Sequence, residues 1–192
     1  MGEMIITRHI DSDYKSIKSY FEKMFTLLEE ARKEESQREP GLEDCYSDVS
    51  NAKFHGFSHL IRPAMLLNIY SFVEFWLPEV CDYKHRKLNL VLQHKDIKGD
   101  NDIHAYHKYL TKYAKLDLSN VRNSYNQLQY LRKIRNSFIH NGGHIPEEKQ
   151  SEFDGLEEVY FSGTLIVIED QFIWSCIDHA SCYLKTAISA NN

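Results

Sequence analysis

The residues best suited to chemistry lie in one run, Leu131-Arg132-Lys133-Ile134-Arg135-Asn136-Ser137-Phe138-Ile139-His140. At about 100° per residue, Val121, Tyr125, Leu128 and Ile139 fall beside one another on a helix, with Leu131, Ile134 and Phe138 in the adjoining row. Arg135 falls between the two rows, inside the apolar arc. A guanidinium there keeps its proton and must find acceptors. Arg132, Asn136 and His140, four apart, make a polar ridge along the edge of that arc. The run therefore gathers a permanent cation, an amide and a group that titrates near neutrality.

Cleavage of an RNA phosphodiester calls for that set. A base must deprotonate the 2′-hydroxyl, or an acid must protonate the leaving oxygen, and a cation must meet the charge developing on phosphorus. Histidine suits the proton transfer because its ordinary pKa lies near 6.5. Arginine suits the cation through planar, bidentate contact with phosphate oxygens. Asn136 would orient either one. The plainer alternative is that Arg135 pairs with a buried carboxylate and His140 caps the helix end. On spacing alone that alternative is preferred, since Arg and His five apart occur often by chance.

The stretch from Leu131 through Asn141-Gly142-Gly143 resembles the signature of the HEPN superfamily, an Arg followed by a polar residue and, a few positions on, a His. A long apolar helix carrying an acidic residue, here Glu74 in Tyr70-Ser71-Phe72-Val73-Glu74-Phe75, is similar to that family as well. So is a hairpin followed by a terminal helix, as in its abortive-infection and toxin-like members. The likeness covers most of the chain in layout and about a dozen residues in motif. It implies metal-independent endoribonuclease activity in a defence or toxin–antitoxin setting, without a cofactor. It also implies a homodimer in which Arg135 and His140 of two protomers meet, with Asn136 as the matching polar residue. An antitoxin or other regulatory partner would follow from the same likeness. Some toxin members carry a Tyr two positions after the His, where a partner enzyme modifies it. This chain has Gly142 there, which puts that mode of control in doubt. Other members have lost catalysis, so the alternative function is a non-catalytic helical module that binds a partner protein or nucleotide.

Positioning these residues requires a core, and 192 residues suffice for one domain, 1–192. The net charge of −5 means that any nucleic-acid site must be a local basic patch. Asp11, Ser12 and Asp13 read as N-caps of a first helix marked by Tyr14, Ile17, Phe21, Met24, Leu28 and Ala31, ending before Pro40-Gly41. Residues 39–56 read as a loop. Ser58 and Pro63 open a second helix, apolar almost all round from Ala64 to Val80, which Pro78 should kink or end. An irregular basic stretch, Tyr83 to Gly99, precedes a short helix capped by Asp100 or Asn101 and running to about Lys115. Ser119 or Asn120 caps the motif helix, which Asn141-Gly142-Gly143 stops. Leu156–Phe161 and Thr164–Ile168 read as strands joined by Ser162-Gly163, and 171–188 as the last helix. The expected fold is all-α, a four- to five-helix bundle with a small β-hairpin before the last helix.

Glu74 is the sole carboxylate in the apolar run Ala64–Leu77, and Arg135 is its expected partner, an ion pair that would scaffold the site with Arg132 in support. Exposure of Glu74 at a bundle edge is the plain alternative. The ten histidines include two close pairs, His55/His59 and His104/His107, yet no further ligand set completes a metal site. Surface or packing roles are favoured for them, and no metal is expected. Lys84-His85-Arg86-Lys87 with Lys95 and Lys98 is the one basic cluster outside the motif, a candidate grip on RNA backbone but more in keeping with a solvated loop. Cys45, Cys81, Cys176 and Cys182 show no paired spacing, so reduced thiols are expected. The opening segment carries no apolar run of the signal-peptide kind, and Ala64–Leu77 is too short and too interrupted to span a bilayer. A cytoplasmic protein without a membrane role is the expectation.

Overall fold

The computed structural model describes residues 2–36 and 52–191, with the side chains of 2–34 and 58–191. Six α-helices are described: α1 (Glu3–Ser36), α2 (Ala52–Lys87), α3 (Asp102–Lys108), α4 (Arg122–Asn141), α5 (Glu147–Gln150) and α6 (Asp170–Ser189). A π-helical turn, Tyr109–Tyr113, prolongs α3. One antiparallel hairpin, β1 (Val159–Ser162) and β2 (Leu165–Ile168), stands just before α6. The chain is thus mainly helical with a small hairpin in the expected place.

α2 packs against α1, α4 and α6, and α6 against α1, α2 and α4. These four helices enclose one core, to which α2 gives Met65, Leu66, Ile69, Val73, Leu77 and Val80. α1 starts eight residues earlier than its Asp11 N-cap reading, because the apolar stripe continues backwards through Ile10 and Ile6, both fully buried. Asp11 and Asp13 serve packing instead, accepting from Lys185 Nζ (3.0 Å) and Trp76 Nε1 (2.9 Å).

α2 departs furthest from expectation. It begins before Ser58, contains both Pro63 and Pro78, and continues nine residues past Pro78. An interior proline costs about 3 kcal/mol. Each large apolar side chain buried returns about 1.5–3 kcal/mol, and beyond Pro78 the helix buries Val80, Cys81 and Tyr83. Packing outweighs the proline. By length and composition alone Ser58–Lys87 could reach across a membrane, contrary to the reading of Ala64–Leu77 as too short, although 44% of its most apolar window is buried within the bundle. Nor is α2 apolar all round: Leu60, Asn68, Ser71, Glu74 and Phe75 form an exposed stripe.

The basic stretch after Pro78 divides: Lys95 and Lys98 are exposed on the largely irregular segment that follows α2, as a solvated loop requires, whereas residues 84–87 belong to the helix. Residues 83–87 are helical, and Lys84 is buried with Nζ donating to the Ala190 carbonyl beyond α6. Burial pushes the Lys84 ammonium down to about 8. Lys87 pairs with Glu3 at 3.0 Å. The Asn101 cap is borne out, its Oδ1 accepting from His104 N at 2.9 Å. α4 is entered through a 3-10 turn, Ser119–Val121, without a side-chain cap. At its end Gly142 takes the left-handed conformation (φ +61°) and donates to Ser137 O. The hairpin loop is Gly163-Thr164 rather than Ser162-Gly163, since Ser162 pairs with Leu165. α5 had no periodicity to announce it.

Gly143 (φ +85°) is fixed by sterics. A Cβ there would stand 2.7 Å from the Phe138 ring and 3.4 Å from Leu165. Gly143→Ala is expected to cost about 1–3 kcal/mol, from left-handed backbone strain and overpacking. Chemical denaturation would measure it, and an unchanged midpoint would contradict this packing.

Candidate functional site

α4 buries Leu128, Leu131 and Ile134 completely and turns its other side outwards. Tyr125 and Phe138 are half-buried, as the helical wheel suggests, but Ile139 is 45% exposed. The hairpin lies on the Phe138 side, where both border a groove of about 480 Å³, and so leaves Ile139 open. Arg132, Arg135 and Asn136 are half-buried, and His140 is exposed in the last turn.

Arg135 finds acceptors other than those expected. Its guanidinium carbon stands 4.7 Å from the centroid of the buried Tyr70 ring, a cation–π contact from α2. Its Nη1 donates to Asn136 Oδ1 at 3.0 Å. The expected ion pair with Glu74 is absent: Glu74 is exposed, and no carboxylate among the described residues lies within ion-pair distance of Arg135. The reason is angular. Glu74 is one turn along α2 from Tyr70 but displaced toward the stripe of Ser71 and Phe75. Its charge is still felt locally. Burial, and after it Glu74, raises the Tyr70 hydroxyl above its ordinary value, with Arg135 opposing, so that phenol stays protonated near neutrality.

The motif residues thus share one helix end, as predicted from spacing. Arg135 is oriented by a ring on one side and an amide on the other. His140 makes no hydrogen bond among the described residues and is open to solvent. An unneutralised guanidinium and a solvent-facing imidazole five residues apart are the raw materials for binding an oxyanion and moving a proton beside it. Sequence reasoning missed Tyr70, one of twelve tyrosines with nothing local to mark it as the partner of Arg135. It also missed Gln129, which precedes Arg132 by three residues and could have been found by extending the ridge backwards.

The other candidates dissolve into packing. His104 Nδ1 meets Tyr125 OH at 3.0 Å, and His107 Nδ1 meets Tyr183 OH at 2.8 Å. The His107 ring stacks on Tyr125 with centroids 3.9 Å apart, and burial pushes its imidazole down to about 4. His59 is exposed, and the side chain of His55 lies outside the described residues. No group of three metal-ligating side chains occurs among the described residues. Cys81, Cys176 and Cys182 are free thiols, the first two buried, and Cys45 lies outside the described residues. Arg62, beside the Phe138 groove, is engaged by Asp170 (2.7 Å) and by Ser58. Comparison of the chain with family models, curated proteins and solved structures finds no match.

Proposed function

We propose that this chain is a metal-independent RNA endonuclease of the HEPN type, cytoplasmic and homodimeric, acting in a defence or toxin–antitoxin setting under a regulatory partner. The observation that carries the reading is the state of Arg135: half-buried, aimed by Tyr70 and Asn136, paired with no carboxylate among the described residues, and followed by an exposed His140 at the end of the same helix. A half-buried guanidinium held without a carboxylate keeps its charge and planar fork for an incoming oxyanion.

In this reading a histidine base takes the proton of the 2′-hydroxyl, and the freed 2′-oxygen attacks the adjacent phosphorus. The 5′-oxygen leaves and takes a proton from an acid, giving a 2′,3′-cyclic phosphate and a 5′-hydroxyl. Arg135 stabilises the charge that builds on the non-bridging oxygens. One chain supplies a single His140, whereas two copies related by a two-fold axis supply base and acid at once. Leu60, Phe75 and Ile139 leave apolar surface on α2 and α4 for a second copy to cover.

Mixing His140→Ala chains with wild type tests the shared site. Once heterodimers have formed, activity should fall more steeply than simple dilution. Activity proportional to the wild-type fraction, in a mixture shown to contain heterodimers, would exclude a composite site.

A further inference from the structure

Three polar atoms on one side of α4 are sealed from water and have no hydrogen-bond partner among the described residues: Nε2 of Gln129, Nε of Arg132 and Nε of Arg135. Residues 129, 132 and 135 succeed one another at helical spacing, each about 4.5 Å further along the axis. Buried polar groups in folded proteins are nearly always paired, so three successive exceptions on one ridge call for an explanation. The described residues do not provide it. Gln129 Oε1 accepts from Asn101 Nδ2 at 3.1 Å, which fixes the amide and leaves its NH2 unanswered. Arg135 gives Nη1 to Asn136, and Arg132 forms no ion pair or hydrogen bond among the described residues. Glu74, Asp100 and Asp102 act electrostatically on the neighbouring Tyr70 and Tyr125 without reaching either guanidinium.

From this ridge we infer a second phosphate subsite: the N–H groups of Arg132 other than its sealed Nε take the phosphodiester next to the one that Arg135 faces, on the same RNA strand. The inference rests on the ribonuclease reading and extends its substrate contact from one phosphate to two. Folding has already stripped water from part of each guanidinium, so an oxyanion arriving at the remaining N–H groups meets a cation whose dehydration is partly complete. A row of two cations matches a repeating anion better than one carboxylate, and a nucleic-acid strand is such a repeat. The three nearby carboxylates weaken long-range attraction, so binding depends on these short contacts rather than on the mean field.

The test is RNA binding by His140→Ala chains, with and without Arg132→Gln, followed by fluorescence anisotropy over a salt series. Circular dichroism would verify folding, and sedimentation the oligomeric state. Loss of one phosphate contact on a single strand should lower the slope of log K against log salt by about 0.7. It should also erase the advantage of an oligonucleotide with two phosphates over one with a single phosphate. An unchanged slope and length dependence would overturn the subsite, as would no RNA binding by the parent. Unchanged RNA binding with loss of the dimer would overturn it too, by giving the ridge to a carboxylate of a second copy. Cleavage is read separately on chains with His140 intact. If those cut RNA while Arg132→Gln leaves the slope unchanged, the subsite fails and the ribonuclease reading stands. If they cut nothing while the slope falls, the reverse holds.

Discussion

Arg135→Ala should abolish RNA cleavage while lowering stability by only about 1–2 kcal/mol. The two effects separate because of what Arg135 touches. Truncation removes a cation–π contact with Tyr70, about 0.5–2 kcal/mol in such settings, and a hydrogen bond to an amide that water can replace. It does not strand a buried acid, because Glu74 is already exposed. Breaking a buried ion pair would instead cost about 3–5 kcal/mol. A loss of that size in chemical denaturation would show that Arg135 neutralises a carboxylate after all. Arg135→Lys should keep most of the stability and little of the activity, since an ammonium offers no planar fork to phosphate. A lysine variant as active as wild type would remove guanidinium geometry from the mechanism.

His140→Ala has a different profile. His140 is exposed and has no hydrogen-bond partner among the described residues, so the thermal midpoint should move little. Truncation removes a basic side chain from the last turn of α4, where a cation contributes about 0.3–1 kcal/mol. The rate of cleavage should nonetheless fall by about two orders of magnitude or more, the ordinary contribution of a positioned general acid or base. A gel-based rate assay and a melting curve on one preparation would measure both. A variant that melts early and cuts normally would mark His140 as a cap.

Much of the motif helix was legible in the sequence. The row Leu128, Leu131 and Ile134 is buried as its spacing requires, and Gly142 ends α4 in the left-handed conformation that glycine tolerates. The hairpin and the last helix were legible for similar local reasons. What failed was whatever depended on tertiary packing. The start of α1 was misplaced because good capping residues, Asp11 and Asp13, are used as acceptors for Lys185 and Trp76. The reach of α2 was underestimated because its two prolines are outweighed by burial on both sides of them. The Glu74–Arg135 pair was the natural electrostatic guess, but the sequence does not say how α2 and α4 are rotated against each other. That rotation puts Tyr70 rather than Glu74 against the guanidinium. Nothing local distinguishes a buried tyrosine that carries an arginine from one that merely fills space.

The most direct measurement is incubation of the purified chain with a short RNA in EDTA, with the ends of the products identified. The expected result is cleavage that survives chelation and leaves 2′,3′-cyclic phosphate and 5′-hydroxyl ends. It should disappear with His140→Ala and should fail on a strand whose 2′-hydroxyls are replaced by hydrogen. Cleavage that requires a divalent metal, or an RNA left intact by well-folded dimeric protein, would contradict acid–base cleavage by Arg135 and His140.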